Sequence, residues 1–495
     1  MGKSNLALIL KTFTKMELKE FHDFVNSPFF NKNKKAVKLF NYLSKGQTDF
    51  EPLPETKKKL YRRIYGNKRY NDSTYRVLIY TLTSLAKEYI TIKQFRGNKL
   101  LCNSELNAAL YTRKIYNLLG KNLNYIMTEL NSTYEKDDGY YFFLYNTLHL
   151  KNNLQYTNRY FKNANRPLDE NSLSESMDAL MQFFLVISLR YYRQLLFYKK
   201  GIKINLSYKF IEKVFGILKE LNIAFPENLH YNLYLNEALL LSENRIENYN
   251  KIKEILFEDK YEIKRANKCD SVSILFSFIG SNIFNGNYSF YKDAQEIYLF
   301  ALENNLLTRD EIDSNIEIFT YFFALRAAFY NKDFSYAEYI HKTTVNKLFP
   351  GYREFADKFV RSWIEFEKGN FSDAYKFLGK IKNPEHVHLK PYFRNHLLKC
   401  LFELGMYDAA AFRIDSYRHM LRKLRKYYSE NSLIRHSNFL KCCSMLLKII
   451  DRKKTTSLNE LQYFLNAEMN IWDRPWLLEK AARLEEELNK KGAHK

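Results

Sequence analysis

Apolar residues recur at helical spacing along most of the chain, and no segment shows the strict alternation that is typical of a strand. In residues 73–95, for example, apolar side chains return every three or four positions, which predicts one long helix. Helix-start signals agree with this pattern, because Thr14 and Glu17 have the spacing of a capping box and Asn71 precedes residues 73–95. The pattern therefore predicts an all-α fold.

Proline, glycine and short polar runs separate the predicted helices. In the amino-terminal region the breaks fall at Pro28, Gly46 and Gly66. The region that follows is predicted to contain a break at Gly120 and helices at 105–119, 122–135, 139–161 and 172–199. Near the carboxyl end, three further helices are predicted at 431–450, 457–468 and 475–491.

A periodic pattern runs through the second half of the chain. An aromatic residue is followed three positions later by a small or apolar one at Tyr208/Ile211, Tyr249/Ile252, Tyr291/Ala294, Phe334/Ala337, Phe371/Ala374 and Tyr407/Ala410. The steps between successive aromatic residues are 41, 42, 43, 37 and 36 residues. A period in this range predicts stacked helical hairpins, which form an α-solenoid.

The last three of these positions have a more specific pattern, in which a glycine precedes the aromatic residue by two positions and an alanine follows it by three. The pattern is complete at Gly369, Phe371 and Ala374 and at Gly405, Tyr407 and Ala410, and it lacks the glycine at Phe334 and Ala337. A glycine there ends the first helix in a left-handed cap, and the alanine allows two helices to approach closely. Where the glycine is missing, Asn331 is predicted to take the left-handed conformation.

This pattern resembles the turn of a tetratricopeptide repeat over about residues 318–425, and more weakly over 203–317. The helix pattern and the charge distribution predict a small basic helical domain at 1–100, a helical region at 101–202 that leads into the solenoid, and capping helices at 426–495. The resemblance implies tetratricopeptide-like repeats at 203–425. It also implies a protein or peptide partner that binds along one face of the solenoid. The oligomeric state stays open.

The amino-terminal segments Leu18–Phe21, Ser27–Asn33 and Tyr70–Asp72 have a resemblance of their own. They are similar to segments that open a group of large, uncharacterised helical proteins of Bacteroidota-type bacteria. That resemblance implies a bacterial origin and brings no assigned activity.

Positive charge changes the picture of the amino-terminal region. The chain has a formal net charge of +23, and residues 1–100 hold 21 Lys and Arg against 8 Asp and Glu. The densest group of cations is Lys57, Lys58, Lys59, Arg62, Arg63, Lys68, Arg69 and Arg76. Each pair of like charges one helical turn apart, such as Lys58 and Arg62, destabilises a helix by about 0.2–0.5 kcal/mol.

Two interpretations of this basic group stay open. It is either an ordinary solvated surface of a lysine-rich chain, or a site that binds an anion such as DNA or RNA. For the second, Tyr61, Tyr65 and Tyr70 alternate with the cations and are candidates to contact sugars or bases. The predicted helix, turn and second helix also resemble a helix-turn-helix.

Other chemistry has little support in the sequence. Phosphate loops, dinucleotide-binding glycine patterns, nucleophile elbows and zinc-binding HExxH motifs are absent, so no cofactor is expected. His386, His388 and His396 do not have a familiar metal-ligand spacing, and no metal is expected. Five scattered cysteines without a CxxC pair, no signal-cleavage pattern and no apolar stretch long enough to cross a membrane indicate a cytoplasmic protein.

These observations favour a non-enzymatic protein–protein interaction scaffold or adaptor built on the helical repeats. The alternative is a nucleic-acid-binding regulator that uses its basic amino-terminal domain. A third possibility, an enzyme whose site is assembled from dispersed residues, has no motif in its favour.

Overall fold

The computed structural model describes residues 4–44, 54–66, 68–133, 135–161, 170–201, 209–220, 228–258, 263–308, 315–381, 384, 386–452 and 455–492. The chain divides into two compact units. One comprises Met1–Thr133 and Gly139–Met181, and the other comprises Tyr134–Asp138 and Gln182–Lys495. Among the described residues there is no strand, and only one isolated bridge joins Ile316 to Leu348. The predicted all-α fold is therefore confirmed, whereas the predicted limits at residues 100, 202 and 425 stay predictions.

The first unit is built from short and long helices around an apolar core. Thr14 and Glu17 form both bonds of the predicted capping box, since each side chain accepts from the other residue's backbone amide. Phe21 and Phe40 pack edge to face in this core, with ring centroids 4.9 Å apart. The helices to residue 201, the last of which continues into the second unit after Met181, are α1 (Asn5–Leu10), α2 (Lys15–Asn26), α3 (Lys34–Leu43), α4 (Pro54–Tyr65), α5 (Asp72–Gly97), α6 (Lys99–Thr112), α7 (Tyr116–Asn131), α8 (Asp138–Phe161) and α9 (Glu170–Gly201).

The predicted helix break at Gly120 is wrong. Gly120 lies inside α7, and the break falls earlier, at Lys114, whose φ of 59° is left-handed. The buried residues Leu119 and Leu123 lie on either side of Gly120 on one apolar face of α7. Burial of that face outweighs the roughly 1 kcal/mol that a glycine costs inside a helix.

From Leu229 to Gly492, the second unit is a succession of helices in which each packs against its neighbours along the chain. Its remaining helices are α10 (Lys209–Glu220), α11 (Leu229–Glu243), α12 (Ile246–Phe257), α13 (Arg265–Phe284), α14 (Phe290–Glu303), α15 (Ile318–Tyr330), α16 (Phe334–Thr344), α17 (Pro350–Glu367), α18 (Phe371–Gly379), α19 (Leu389–Glu403), α20 (Tyr407–Lys423), α21 (Glu430–Arg452), α22 (Thr455–Ala467) and α23 (Arg474–Gly492). Close pairs such as α15 with α16, α17 with α18 and α19 with α20 are compatible with a helical solenoid.

The glycine turns between paired helices have the geometry of a Schellman cap. Gly369 and Gly405 have φ values of 85° and 70°, which suit glycine. The amide after Gly369, that of Asn370, donates to the Glu365 carbonyl at 2.8 Å, and the amide of Gly369 donates to the Phe366 carbonyl at 3.0 Å. These bonds satisfy carbonyl groups that the helix end leaves free, and they reverse the chain into the next helix.

The prediction that Asn331 takes the left-handed conformation is wrong by one residue. Asn331 has a φ of −79°, and Lys332 has a φ of 55°. The amide of Asp333 donates to the Ala328 carbonyl at 2.9 Å, so the same cap forms around a lysine. Lys332 precedes Phe334 by two positions, as Gly369 precedes Phe371, so the register of the repeat identifies the left-handed residue better than residue type does.

The last three periodic aromatic residues begin the second helix of a pair, whereas Tyr249 and Tyr291 are the fourth residue of α12 and the second residue of α14. Phe334, Phe371 and Tyr407 are the first residues of α16, α18 and α20. Ala337, Ala374 and Ala410, three positions later, are fully buried. The first position of the pattern is not tested, because Tyr208 lies outside the described residues and the side chain of Ile211 is not described. No helix within the described residues is both long enough and apolar enough to cross a membrane.

Candidate functional site

The predicted basic residues divide into an exposed helix face and a following segment. Lys58, Lys59, Arg62 and Arg63 lie on the exposed side of α4, here called the α4 basic face, while Leu60 on the opposite side is buried. Within the described part of the chain, no carboxylate lies within 4.0 Å of these four cations. The α4 basic face is therefore a concentration of positive charge that the described residues do not neutralise.

The remaining predicted cations differ in their surroundings. Lys57 is half-buried, whereas Lys68 and Arg69 are exposed between α4 and α5. Arg76 is exposed on α5, where its Nε lies 2.7 Å from an Asp72 carboxylate oxygen. Arg76 therefore already has a counter-ion.

The tyrosines between the cations contribute to the core of the first unit. Tyr61 is only 3% exposed, and its ring stacks on that of Tyr65 at 4.4 Å. Tyr65 also lies under the Lys35 ammonium group, and Tyr70 donates its hydroxyl to Asp72 at 2.8 Å. Tyr61 is thus unable to stack on a base. Because α4 packs mainly against α3, the helices α4 and α5 do not form the packed pair of a helix-turn-helix.

A cavity of about 950 Å³ lies inside the second unit, here called the inner cavity. Most of its wall comes from α13 and α15. The remainder comes from α9, α19, α21, the segment after α14 and the segment between α22 and α23. Its apolar surface includes the half-buried aromatic rings of Phe276, Phe284, Phe319 and Phe323. The first helices of several pairs therefore meet at one concave surface.

Small polar residues on α13 create much of this space. Ser273, Ser277, Gly280 and Ser281 line the cavity at helical spacing, on the same face of α13 as Phe284. A Cβ atom added to Gly280 would meet only the rings of Phe284 and Phe323, each at 4.0 Å. Larger side chains at these positions would fill the cavity.

Arg435 on α21 is the most isolated charge in the inner cavity. Its Nε donates to Asn470 Oδ1 at 2.9 Å, and its guanidinium carbon lies 3.7 Å from the centroid of the Phe284 ring. Burial lowers the pKa of Arg435 to about 10, and the nearby charge of Arg326 acts in the same direction. Arg435 thus stays protonated at neutral pH in surroundings that disfavour its charge.

Arg326 on α15 occupies a different environment in the same cavity. Its guanidinium carbon lies 4.3 Å from the centroid of the Trp472 ring, and its Nη2 lies 4.0 Å from Asp473 Oδ1. The Trp472 ring is held between other rings, since Tyr392 meets it edge-on at 4.9 Å and His436 stacks on it at 4.8 Å. This aromatic packing fixes the part of the cavity wall that carries Arg326.

Buried charges form a network beside the inner cavity. The Lys399 ammonium group is 5% exposed and lies 3.4 Å from Asp473 Oδ2 and 3.9 Å from Glu367 Oε1. It also lies 4.7 Å from the centroid of the Phe366 ring and 5.9 Å from that of Trp476. The network joins α17, α19 and the start of α23, so we interpret it as structural.

The histidines considered as metal ligands, and the adjacent cysteines Cys442 and Cys443, pack against other residues of the second unit. His386 and His388 lie with ring centroids 5.5 Å apart, and His396 is buried and bonded to Ser362 Oγ at 3.0 Å. No group of three potential metal ligands occurs among the described residues. Cys442 and Cys443 are both fully buried.

Sequence reasoning did not identify the inner cavity or its arginines. The residues that form it come from seven parts of the chain, so no local motif connects them. One signal was present, because four small residues recur on one face of α13, where a buried helix would normally carry large apolar side chains. Comparison of the chain with protein-family models, with curated proteins and with solved structures found no match.

Proposed function

We propose that this chain is a non-enzymatic interaction protein whose second unit, a tetratricopeptide-like stack, binds a segment of a partner protein in the inner cavity. The observation that carries the proposal is the cavity itself, which several first helices line with half-buried rings and polar groups. Its volume of about 950 Å³ is at the upper end of the range for ligand sites, which suits several side chains of a peptide. The buried alanines and glycine caps between paired helices support the tetratricopeptide likeness.

Filling the cavity should abolish peptide binding. We expect a pool of random synthetic peptides, incubated with the full chain at physiological salt, to yield a bound subset that mass spectrometry identifies. Ser277→Trp places a large ring in the cavity and should lose that subset, as should Ser273→Trp at a more exposed position of the same wall. Ser372→Trp, an equal change at an exposed position of α18 outside the cavity lining, should keep it.

Circular dichroism melting identifies any variant that fails to fold. If one of the two cavity variants does not fold, the other still tests the proposal. The proposal is wrong if the wild-type chain enriches no peptide, or if folded Ser273→Trp and Ser277→Trp proteins bind the same subset as the wild type.

The α4 basic face favours a second candidate function, which is binding of DNA or RNA through phosphate groups. Its four cations are exposed and lack carboxylate partners within the described residues, and Tyr61 is buried. Binding through such a face would depend on charge and would show little preference for base sequence.

The full chain should then bind duplex DNA or RNA at ~50 mM salt and release it steeply as salt increases. Replacing Arg62 and Arg63 by Glu should weaken binding and reduce the slope of log affinity against log salt by about 2. Replacing the exposed Arg422 and Lys423 of α20 by Glu changes the net charge equally and should leave binding nearly unchanged. Equal loss in both double variants, measured by fluorescence anisotropy, would assign the binding to net charge alone.

A further inference from the structure

The guanidinium group of Arg435 is held in place with one end unused. Asn470 Oδ1 accepts from its Nε, and the Phe284 ring covers its face. Asn470 is itself fixed, because its backbone amide donates to Glu468 Oε1 at 2.8 Å and its side-chain amide donates to the Asn431 carbonyl at 3.3 Å. Among the described residues, the Arg435 Nη atoms form no hydrogen bond and no ion pair, and the side-chain bond that Arg435 makes is the one from its Nε. Four N–H donors therefore remain on the terminal nitrogens of a positioned side chain.

The carboxylates around the inner cavity are already committed to other groups. Asp473 lies between Lys399 and Arg326, at 3.4 Å and 4.0 Å. Glu317 caps α15, where it accepts from the Thr320 amide at 2.8 Å and from the Thr320 hydroxyl at 3.0 Å. Among the described residues, Arg435 therefore has no counter-ion of its own, and a bound anion would offset the cost of its partial burial.

A carboxylate matches the unused end of this arginine better than other common groups of a peptide. Two parallel N–H···O bonds from the terminal nitrogens fit the two oxygens of a carboxylate, and they are both charged and directional. The rings of Phe276, Phe284 and Phe323 lie in the same cavity and offer apolar surface to a neighbouring side chain of the ligand. The site therefore combines a recognition point for negative charge with an apolar pocket.

We infer that the inner cavity selects acidic peptide segments, and that Arg435 recognises one carboxylate of the bound segment next to an apolar or aromatic residue. This inference rests on the proposed function, because it names the chemistry of the segment that the cavity takes. Arg435 is then a specificity-determining residue, whereas the α13 wall determines whether a peptide enters at all.

Three pools of short synthetic peptides test this specificity. The first has Asp at its centre and an amidated carboxyl end, the second has Asn at its centre and the same amidated end, and the third has Asn at its centre and a free carboxyl end. All other positions are random, apart from exclusion of Asp and Glu. The first pool should be retained by the full chain about tenfold better than the second, as one charge-assisted bidentate contact predicts. Retention of the third pool measures whether a terminal carboxylate serves equally well.

Arg435→Met preserves much of the side-chain volume over Phe284 and removes the charge. It should bind the Asp and Asn pools equally, while the matched change Arg422→Met at an exposed position of α20 should keep the preference for Asp. Arg435→Lys retains the charge without the planar group, so it should keep only part of the preference, and it substitutes for Arg435→Met should that variant fail to fold.

The outcomes separate the two proposals. Suppose that peptides bind and that Ser277→Trp blocks the binding. The inference about Arg435 is then wrong, and the proposed function stands, if the Asp pool and the Asn pool with a free carboxyl end are both retained no better than the amidated Asn pool. The same conclusion follows if the preference for Asp survives in folded Arg435→Met. If no pool binds the wild-type chain, both are wrong.

Discussion

Replacing Asp473 by asparagine should lower the free energy of unfolding of the second unit by about 3–5 kcal/mol. The carboxylate lies 3.4 Å from the Lys399 ammonium group, which is 5% exposed, and 4.0 Å from Arg326. Burial acts to raise the pKa of Asp473, but Lys399 and Arg326 together hold it below its ordinary value. The substitution would leave Lys399 and Arg326 with too little negative charge in a largely buried site. Removing one partner of a buried ion pair is costly for this reason.

Asparagine is the appropriate replacement because Asp473 has a left-handed φ of 49°. Asparagine tolerates that conformation better than most residues, so the change measures the charge rather than backbone strain. Asp415→Asn provides the control, since Asp415 pairs with Arg418 at 3.1 Å but its side chain is 79% exposed. That exposed pair should contribute no more than about 1 kcal/mol.

Tryptophan fluorescence during urea unfolding reports directly on this region, because all three tryptophans of the chain lie in the second unit and Trp472 adjoins Asp473. Adding Lys399→Met to Asp473→Asn should cost less than the sum of the two single changes, since the double variant removes both charges. An Asp473→Asn protein as stable as Asp415→Asn would contradict the prediction.

Acid should weaken the second unit between about pH 7 and about pH 5 through two buried histidines. Burial lowers the pKa of His396 and of His436 from 6.5 to about 3, with neighbouring cations acting in the same direction. Below pH 6.5 the unfolded chain takes up protons on these rings and the folded chain does not. Their stabilising contribution is therefore complete above the unfolded pKa and is lost as the pH falls, by about 2 kcal/mol for each histidine at about pH 5.

Single substitutions separate the effect of these histidines from that of other groups. Burial raises the pKa of Glu367, so its titration stabilises the folded chain as the pH falls, opposite to the effect of the histidines. His396→Gln and His436→Gln should each remove about half of the histidine-dependent loss between those two pH values. His419→Gln, at an exposed position of α20, should leave the pH dependence as in the wild type. Urea unfolding at each pH gives the required free energies, and an unchanged slope in both buried variants would show that these histidines do not titrate on unfolding.

Local signals accounted for most of the helices. The predicted segments 139–161 and 431–450 correspond to α8 and α21 within two residues at each end, and Asn71 caps α5 by accepting from the Thr74 amide at 3.0 Å. Apolar periodicity and capping act over only a few residues, so they can be identified without knowledge of distant contacts. The same local reasoning failed at Gly120 and at Lys332, where packing and repeat register outweighed residue preference.

The candidate sites divide in the same way. The charge of the α4 basic face was evident from the sequence, because its four cations form two pairs that are each four positions apart. Residues at that spacing lie on the same side of a helix. The role predicted for Tyr61 was not settled there, since a tyrosine at that spacing suits either a core or a binding surface. Only the tertiary structure placed its ring in the core, where it stacks on Tyr65.

The sequence by itself determined that the chain is all-α and that its second half contains paired helices, two pairs of which are joined by turns at Gly369 and Gly405. Tertiary structure alone decided which charges meet, because Lys399 and Asp473 lie 74 residues apart, and Arg326 and Arg435 lie on different helices. Helical periodicity shows which side of one helix is buried, but the residues that this side contacts depend on how successive pairs stack. The inner cavity and the isolated charge of Arg435 arise from that stacking.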